Sequence, residues 1–159
     1  MFKIKKATLK DIPKMQAIVE EEVKNGVILK RSDDEVATNI RSYLLGVVED
    51  EIAGYGALHI HSPNLGEIRS LITQEKFRGK GIAKKIVQEL LKEAKELGLK
   101  EVLVLTYLPN FFKKLGFKEI PKETIPEHKI WADCIKCIHF PLCNEISLVY
   151  KFRSDGEEN

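Results

Sequence analysis

The 159-residue chain has no long hydrophobic run. Its longest apolar stretches, such as Tyr43-Leu44-Leu45-Gly46-Val47-Val48, fall well short of the roughly 20 residues a membrane-spanning helix needs, so no membrane partner is expected. No leader is expected either. Met1-Phe2-Lys3-Ile4-Lys5-Lys6 alternates apolar with basic residues and never develops a signal-peptide hydrophobic region, which gives the cytoplasm as the expected location. Charge of one sign is also lacking: 26 basic residues against 24 acidic leave +2, so no global field attracts nucleic acid, and any anion site has to be local. Cysteine is scarce, at three residues. In the cytoplasm those thiols are expected to be reduced, unless the host is a hyperthermophile, which the Lys- and Glu-rich composition permits. There is no internal repeat, linker or low-complexity tract. With 43% hydrophobic and 31% charged residues the remainder is ordinary for a soluble globular chain, which excludes the disordered and fibrous classes. The expectation is one α/β domain, residues 1–153, with a polar, frayed tail over 154–159.

Periodicity places the elements. Residues 2–7 alternate as a strand, and Thr8 with Asp11 marks a helix start before Ile12, Met15, Ile18 and Val19. Asn25-Gly26 stops that helix, and Ser32-Asp33-Asp34-Glu35 has the reciprocal positions of a capping box for a second one. Tyr43–Val48 and Ile52–Ile60 read as a hairpin around the acidic turn Glu49-Asp50-Glu51. After Pro63-Asn64, residues 67–73 form a strand with Ile68, Ser70 and Ile72 on one face and Glu67 with Arg69 on the other. The strongest helix has Ile82, Ala83, Ile86, Val87, Leu90, Leu91, Ala94 and Leu97 as one apolar stripe, ended by Gly98. Val102–Leu105 reads as a strand buried on both faces. Pro109 starts a short helix closed by Gly116, and Phe117–Ile120 and Ile146–Phe152 are extended.

The loop Arg78-Gly79-Lys80-Gly81-Ile82-Ala83 lies between a strand and the long helix, where backbone N–H groups and the helix dipole can hold an anion. No Gly-Lys here is followed by Ser or Thr, which excludes a Walker A loop. A dinucleotide fingerprint fails as well, because position 84 is lysine and Leu105-Thr106 stand where an acidic residue belongs. What remains is a crowd of cations, Arg78, Lys80, Lys84 and Lys85, at a helix N-terminus where the macrodipole disfavours each by roughly 0.3–1 kcal/mol. A bound polyanion reverses that sign; a glycine turn with solvated lysines is the plain alternative.

Arg78-x-x-Gly81-x-Ala83 after Leu71-Ile72 resembles the signature of the GCN5-related N-acetyltransferase superfamily. Phe111-Phe112-Lys113-Lys114-Leu115-Gly116-Phe117 is similar to its second signature, and the order of elements agrees along nearly the whole chain. The resemblance implies a mixed sheet of about six to seven strands with helices on both faces. It also implies that strand 67–73 splays from strand 101–106, with the pantetheine arm of acetyl-CoA lying like an added strand. Acetyl-CoA would be held by Leu71, Ile72, Arg78, Gly79, Lys80, Gly81, Ile82, Ala83, Lys84 and Phe112, with amides near Leu71 and Ile72 facing the thioester carbonyl. One departure stands out: the family's second signature often carries a tyrosine, taken as the acid for the leaving thiolate, where this chain has Phe112. A thiol of pKa about 8.5 can leave unaided, or Tyr107 can serve.

Gly26–Ser32, Glu67–Leu71 and Ile130–Cys134 look like the stand-alone form of N-acetylglutamate synthase. That resemblance implies a small amino-acid acceptor, Glu67 as general base, Arg31 as anchor for a substrate carboxylate, and Lys5, Arg69, Ser70 and Lys129 as further substrate contacts. A role for Ser70 in the cleft requires a bulge to shift the strand's register. Other acceptors, including a protein N-terminus or a lysine, and a CoA-binding sensor without turnover, stay open as alternatives. Cys134-x-x-Cys137 with His139 and Cys143 is chemically sufficient for tetrahedral zinc, and also for buried thiols or a disulfide. Nothing in the sequence fixes the oligomeric state, and a homodimer is compatible with it.

Overall fold

A computed structural model describes residues 2–24, 31–121 and 146–152. The elements are β1 (Phe2–Lys6), a 3-10 turn (Leu9–Asp11), α1 (Ile12–Lys24), α2 (Asp33–Thr38), β2 (Tyr43–Val48), β3 (Glu51–Ile60), β4 (Leu65–Thr73), α3 (Ile82–Leu97), β5 (Glu101–Thr106), α4 (Pro109–Lys114), β6 (Lys118–Ile120) and β7 (Ile146–Lys151). The seven strands form one mixed sheet in the order β1-β2-β3-β4-β5-β7-β6. Contacts along the chain gather into two units, residues 1–58 with 69–90 and residues 59–68 with 91–159.

In the first unit, the Thr8–Asp11 signal is realised: the Asp11 carboxylate accepts the Thr8 N–H at 2.8 Å and the Thr8 hydroxyl at 3.0 Å, and α1 follows directly. Ser32 caps α2 by accepting the Glu35 N–H at 3.1 Å. The Glu35 carboxylate goes to Arg31 at 3.4 Å, so the expected box is used in one direction with an ion pair beside it. The hairpin of β2 and β3 pairs Val48 with Glu51 around a two-residue turn. Glu49 and Asp50 both have positive φ, +49° and +65°, the type I′ geometry whose twist matches paired strands.

One face of this hairpin packs on α1 and α2, where Met15, Val19, Val36, Tyr43, Leu45, Val47, Tyr55 and Ala57 belong to one buried cluster. The opposite face is kept shallow by glycine. A methyl group on Gly46 would stand 3.0 Å from Ile82, and one on Gly56 would stand 3.2 Å from Ile86, so the missing side chains let α3 close on the strands. Helices therefore cover both faces, as expected.

The expected alternation along β4 is corrected. Beside the turn, the His61 N–H bonds the Leu65 carbonyl at 2.9 Å, and counting back from that pair sets Ala53 opposite Thr73. The residue that reaches the Ala53 carbonyl is Gln74, one further on, at 2.8 Å. One extra residue on β4 thus lies between the two anchors, and Ser70 has φ +58°, the left-handed kink of a bulge. Because a one-residue slip exchanges the faces, Ile68 and Ile72 do not share one. Ile72 joins the cluster containing Tyr55 and Ala57, whereas the Leu71 Cδ1 lies over Gly56 beside Ile86 and Leu90.

In the second unit β5 is internal, parallel to β4 from Leu65↔Glu101 to Ile68↔Val104 and antiparallel to β7 along its whole length. Leu65, Leu103 and Val149 form its buried cluster, with Leu105 and Ile120 against it. The Asn64 carbonyl accepts both the Lys100 and the Glu101 N–H at 3.0 Å, which ties the start of β4 to the start of β5. Two helices end in Schellman closures around glycines of positive φ. At Gly98 the Leu99 N–H reaches the Ala94 carbonyl, and at Gly116 the Phe117 N–H reaches the Phe112 carbonyl. The first closure corrects the expected stripe on α3: Leu97 is 58% exposed, because the chain reverses after it and buries Leu99 in its stead.

Candidate active site

Glu67 sits on β4 opposite Leu103, next to the end of the β4–β5 ladder. It is buried, with only 4% of its surface exposed, so it is not part of a solvated charged face. Its Oε1 lies 2.7 Å from Nε2 of His61, whose side chain is buried to a similar degree. A buried carboxylate needs a hydrogen-bond donor, and the imidazole supplies one. His61 was not among the residues the sequence singled out. The signal was present: with a turn at 62–64, residues 61 and 65 face each other, and Glu67, two residues beyond 65, falls on the same side of the strand pair. Arg69 and Ser70 follow on β4, both partly buried, at the bulge itself.

Arg78, Gly79, Lys80, Gly81 and Lys84 stand together, all exposed, at the entrance to α3. Arg78 is directed by its Nε, which donates to the Thr73 carbonyl at 3.3 Å. The Lys80 ammonium lies 5.7 Å from the centre of the Phe77 ring, and Lys76 lies 5.3 Å from it. Gly79 and Gly81 have φ of +82° and +78°, and a methyl group placed on either would meet no atom within 4 Å. The glycines therefore serve backbone conformation and leave open space above the loop, where a bulky anion can approach the main chain. Ile82 is 3% exposed and packs inward, so only its backbone can face a ligand, and Ala83 is partly buried behind it.

Other expected residues are placed differently. Phe112 is buried in a row of rings, 4.9 Å from Phe111 and 5.2 Å from Phe117, and it is the residue whose carbonyl closes α4. Its place is structural, so cofactor contact through its side chain is not what the packing provides. Arg31 is 15% exposed at the entrance to α2, and its carbonyl accepts a 2.8 Å bond from Gln16, which also reaches Asp33 at 2.9 Å. Gln16 is a second residue that sequence reading missed, since an α1 side chain crossing to α2 has no local signature. Lys5 is exposed on β1, opposite Leu45. Lys129, the zinc candidates Cys134, Cys137, His139 and Cys143, and the tail 154–159 lie outside the described residues. Among the described residues no cluster of metal-ligating side chains occurs, and no helix is long and apolar enough to cross a membrane.

The strands make a mixed seven-stranded sheet, β4 carries a buried glutamate and a bulge, and a cationic glycine loop opens the main helix, features that acyl-group transferases of one family share. Residues 12–117 match the Acetyltransferase (GNAT) family, and the chain belongs to it as an N-acetyltransferase. An uncharacterized N-acetyltransferase of Chlorobaculum tepidum is 37% identical over 146 residues, covering 92% of this chain and 94% of that one. An amino-acid acetyltransferase of Mycobacterium tuberculosis is 33% identical over 120 residues, covering 74% of this chain and 68% of its own length. Among solved structures, N-acetylglutamate synthase from Neisseria gonorrhoeae, complexed with coenzyme A and N-acetyl-glutamate, superposes with a TM-score of 0.85 at 20% identity. That match covers 97% of this chain and 36% of the synthase, and it speaks for the fold.

Proposed function

We propose that the chain transfers the acetyl group of acetyl-CoA to the α-amine of L-glutamate, giving N-acetylglutamate. The observation that carries this reading is Glu67, buried and held by His61 beside the bulge of β4. An α-ammonium cannot attack a thioester until it loses a proton, and a carboxylate fixed on the strand that also carries the amides of Leu71 and Ile72 suits that task. In this reading Glu67 takes the proton directly or through water, and the amine nitrogen attacks the thioester carbon. The amides near Leu71 and Ile72 hold the developing oxyanion, and the C–S bond breaks with its electron pair on sulfur. The attacking nitrogen sheds its second proton to water or to the departing thiolate. Arg78, Lys80, Lys84 and the backbone of Gly79–Ala83 take the pyrophosphate, for which the open space over the two glycines leaves room.

Glutamate presents two carboxylates, and in this reading Arg31, 15% exposed at the entrance to α2, anchors one of them. Its backbone carbonyl is held by Gln16, and its guanidinium pairs with Glu35 at 3.4 Å. The similarity to amino-acid acetyltransferases supports the same acceptor class. The Phe112 ring is packed between Phe111 and Phe117, which accounts for an aromatic residue at that position.

Product mass after incubation with acetyl-CoA and a panel of amino acids and peptides decides the acceptor. N-acetylglutamate is the expected product, and a peptide acetylated in preference to glutamate overturns the reading. Glu67→Gln is expected to lower kcat by roughly 10²–10⁴-fold, whereas Arg31→Ala mainly raises the KM for glutamate. A folded Glu67→Gln enzyme with wild-type kcat removes the base assignment, and unchanged glutamate KM in Arg31→Ala removes the anchor.

A further inference from the structure

We propose that His61 is a positioning residue for the base, setting the orientation of the Glu67 carboxylate through the 2.7 Å contact between Nε2 and Oε1. The inference rests on the reading of Glu67 given above and extends it to a residue outside the family signatures. A glutamate side chain has three rotatable bonds, and a base displaced by about 1 Å from the proton it removes can cost on the order of 10² in rate. Burial alone does not fix those bonds; a hydrogen bond from a rigid ring does.

The backbone that carries the ring is well founded. The His61 N–H bonds the Leu65 carbonyl at 2.9 Å, and the Ser62 N–H shares that acceptor at 3.2 Å. The Ser62 hydroxyl in turn accepts the N–H groups of Asn64 and Leu65, at 3.2 and 3.1 Å. Asn64 is pinned to the start of β5 by the two amides that its carbonyl accepts. A tight turn thus holds the backbone of His61, and its imidazole meets the carboxylate on the strand that bulges three residues later at Ser70. A pair needed only to neutralise buried polarity would be satisfied by any donor. A pair that orients the base requires the donor at the Nε2 position.

The test is a double-mutant cycle, measured as CoA release with whichever amine the wild-type enzyme acetylates fastest. His61→Leu is expected to lower kcat about 10- to 100-fold while both KM values stay within about two-fold. His61→Gln, whose amide N–H reaches the Nε2 position, should recover kcat to within about three-fold of wild type. In a Glu67→Gln background His61→Leu should change kcat by less than about two-fold, since His61 acts through that carboxylate. If His61→Leu does not fold, His61→Gln is compared with the shorter His61→Asn: a kcat at least about ten-fold higher for Gln supports the proposal, and equal rates overturn it. Wild-type kcat in His61→Leu, or additive losses in the double variant, also overturn it. When Glu67→Gln is slow and His61→Leu is not, only the role of His61 fails; wild-type kcat in Glu67→Gln removes the base reading itself.

Discussion

Tyr55 is the side chain whose pKa burial shifts upward, with a neighbouring ring beside it. Its ring stands edge-on to Tyr43 at 5.8 Å, and its hydroxyl donates to the Met15 carbonyl at 3.3 Å. Burial, with the nearby Tyr43 adding to it, pushes the phenol well above its ordinary range. The folded state therefore holds that proton more tightly than the unfolded chain does. The resulting stability is complete below the unfolded value of about 10 and is lost as pH rises above it. Tyr55→Phe is expected to be less stable than wild type by about 0.5–1.5 kcal/mol near neutrality, the usual worth of the lost hydrogen bond. Above pH 10 the difference should shrink, because only the wild type has this proton to lose, and thermal melts of the two proteins between pH 8 and 11 check it. Legibility at this scale was uneven. Glu67 could be singled out because its strand carries a family pattern. His61 was not, although the turn at 62–64 carried the signal, because using it requires the register of the strand pair as well as the turn. Phe112 looked like a missing tyrosine in the sequence and is, in three dimensions, a buried ring between Phe111 and Phe117 whose backbone carbonyl closes α4.

Among the elements, those whose pattern is set by one chain segment were readable and those set by a neighbour were not. The long apolar stripe of α3, the Pro109 start of α4 and the paired strands around Glu49-Asp50 follow from local periodicity and turn chemistry, and the fold contains them. The faces of β4 did not follow, because the bulge at Ser70 arises from pairing with β3 and reverses the alternation midway. The cation cluster at the entrance to α3 was legible from the sequence, and the geometry adds the reason for its glycines. Both occupy left-handed backbone with no neighbouring atom to crowd them. Gly81→Val is accordingly expected to fold, at a cost of about 1–2 kcal/mol for a branched side chain at positive φ. It should also lose at least about ten-fold in CoA affinity by calorimetry. A folded variant with unchanged affinity would displace the pyrophosphate from this loop.

Over the whole molecule, charge is nearly balanced at +2, so the attraction for an anionic cofactor depends on where the cations are placed. Arg78, Lys80 and Lys84 gather at one helix end, and the acidic residues of α3 come later, at Glu89, Glu93 and Glu96. Fold and reaction class could be read from such arrangements because they are spread over the entire sequence. The acceptor was less legible, since the contact that joins Gln16 on α1 to the Arg31 carbonyl, like others of its kind, comes from tertiary structure and has no local signature.

The turn between β2 and β3 gives the enzyme some thermal headroom. Asp50 keeps φ +65° although an L-residue with a side chain resists that conformation, and it sits at a solvent-exposed corner that takes no part in the proposed chemistry. Asp50→Gly, with Glu49 retained for the contact it already makes, should release part of that resistance, about 0.5 kcal/mol after allowing for the looser unfolded chain. For a chain of this size that corresponds to a melting point raised by about 1–2 °C with kcat unchanged, readable by calorimetric scanning beside a turnover assay. A protein with such slack at a remote corner can absorb destabilising substitutions near its acceptor pocket, so selection for new amines could proceed from the glycine variant with fewer losses to unfolding.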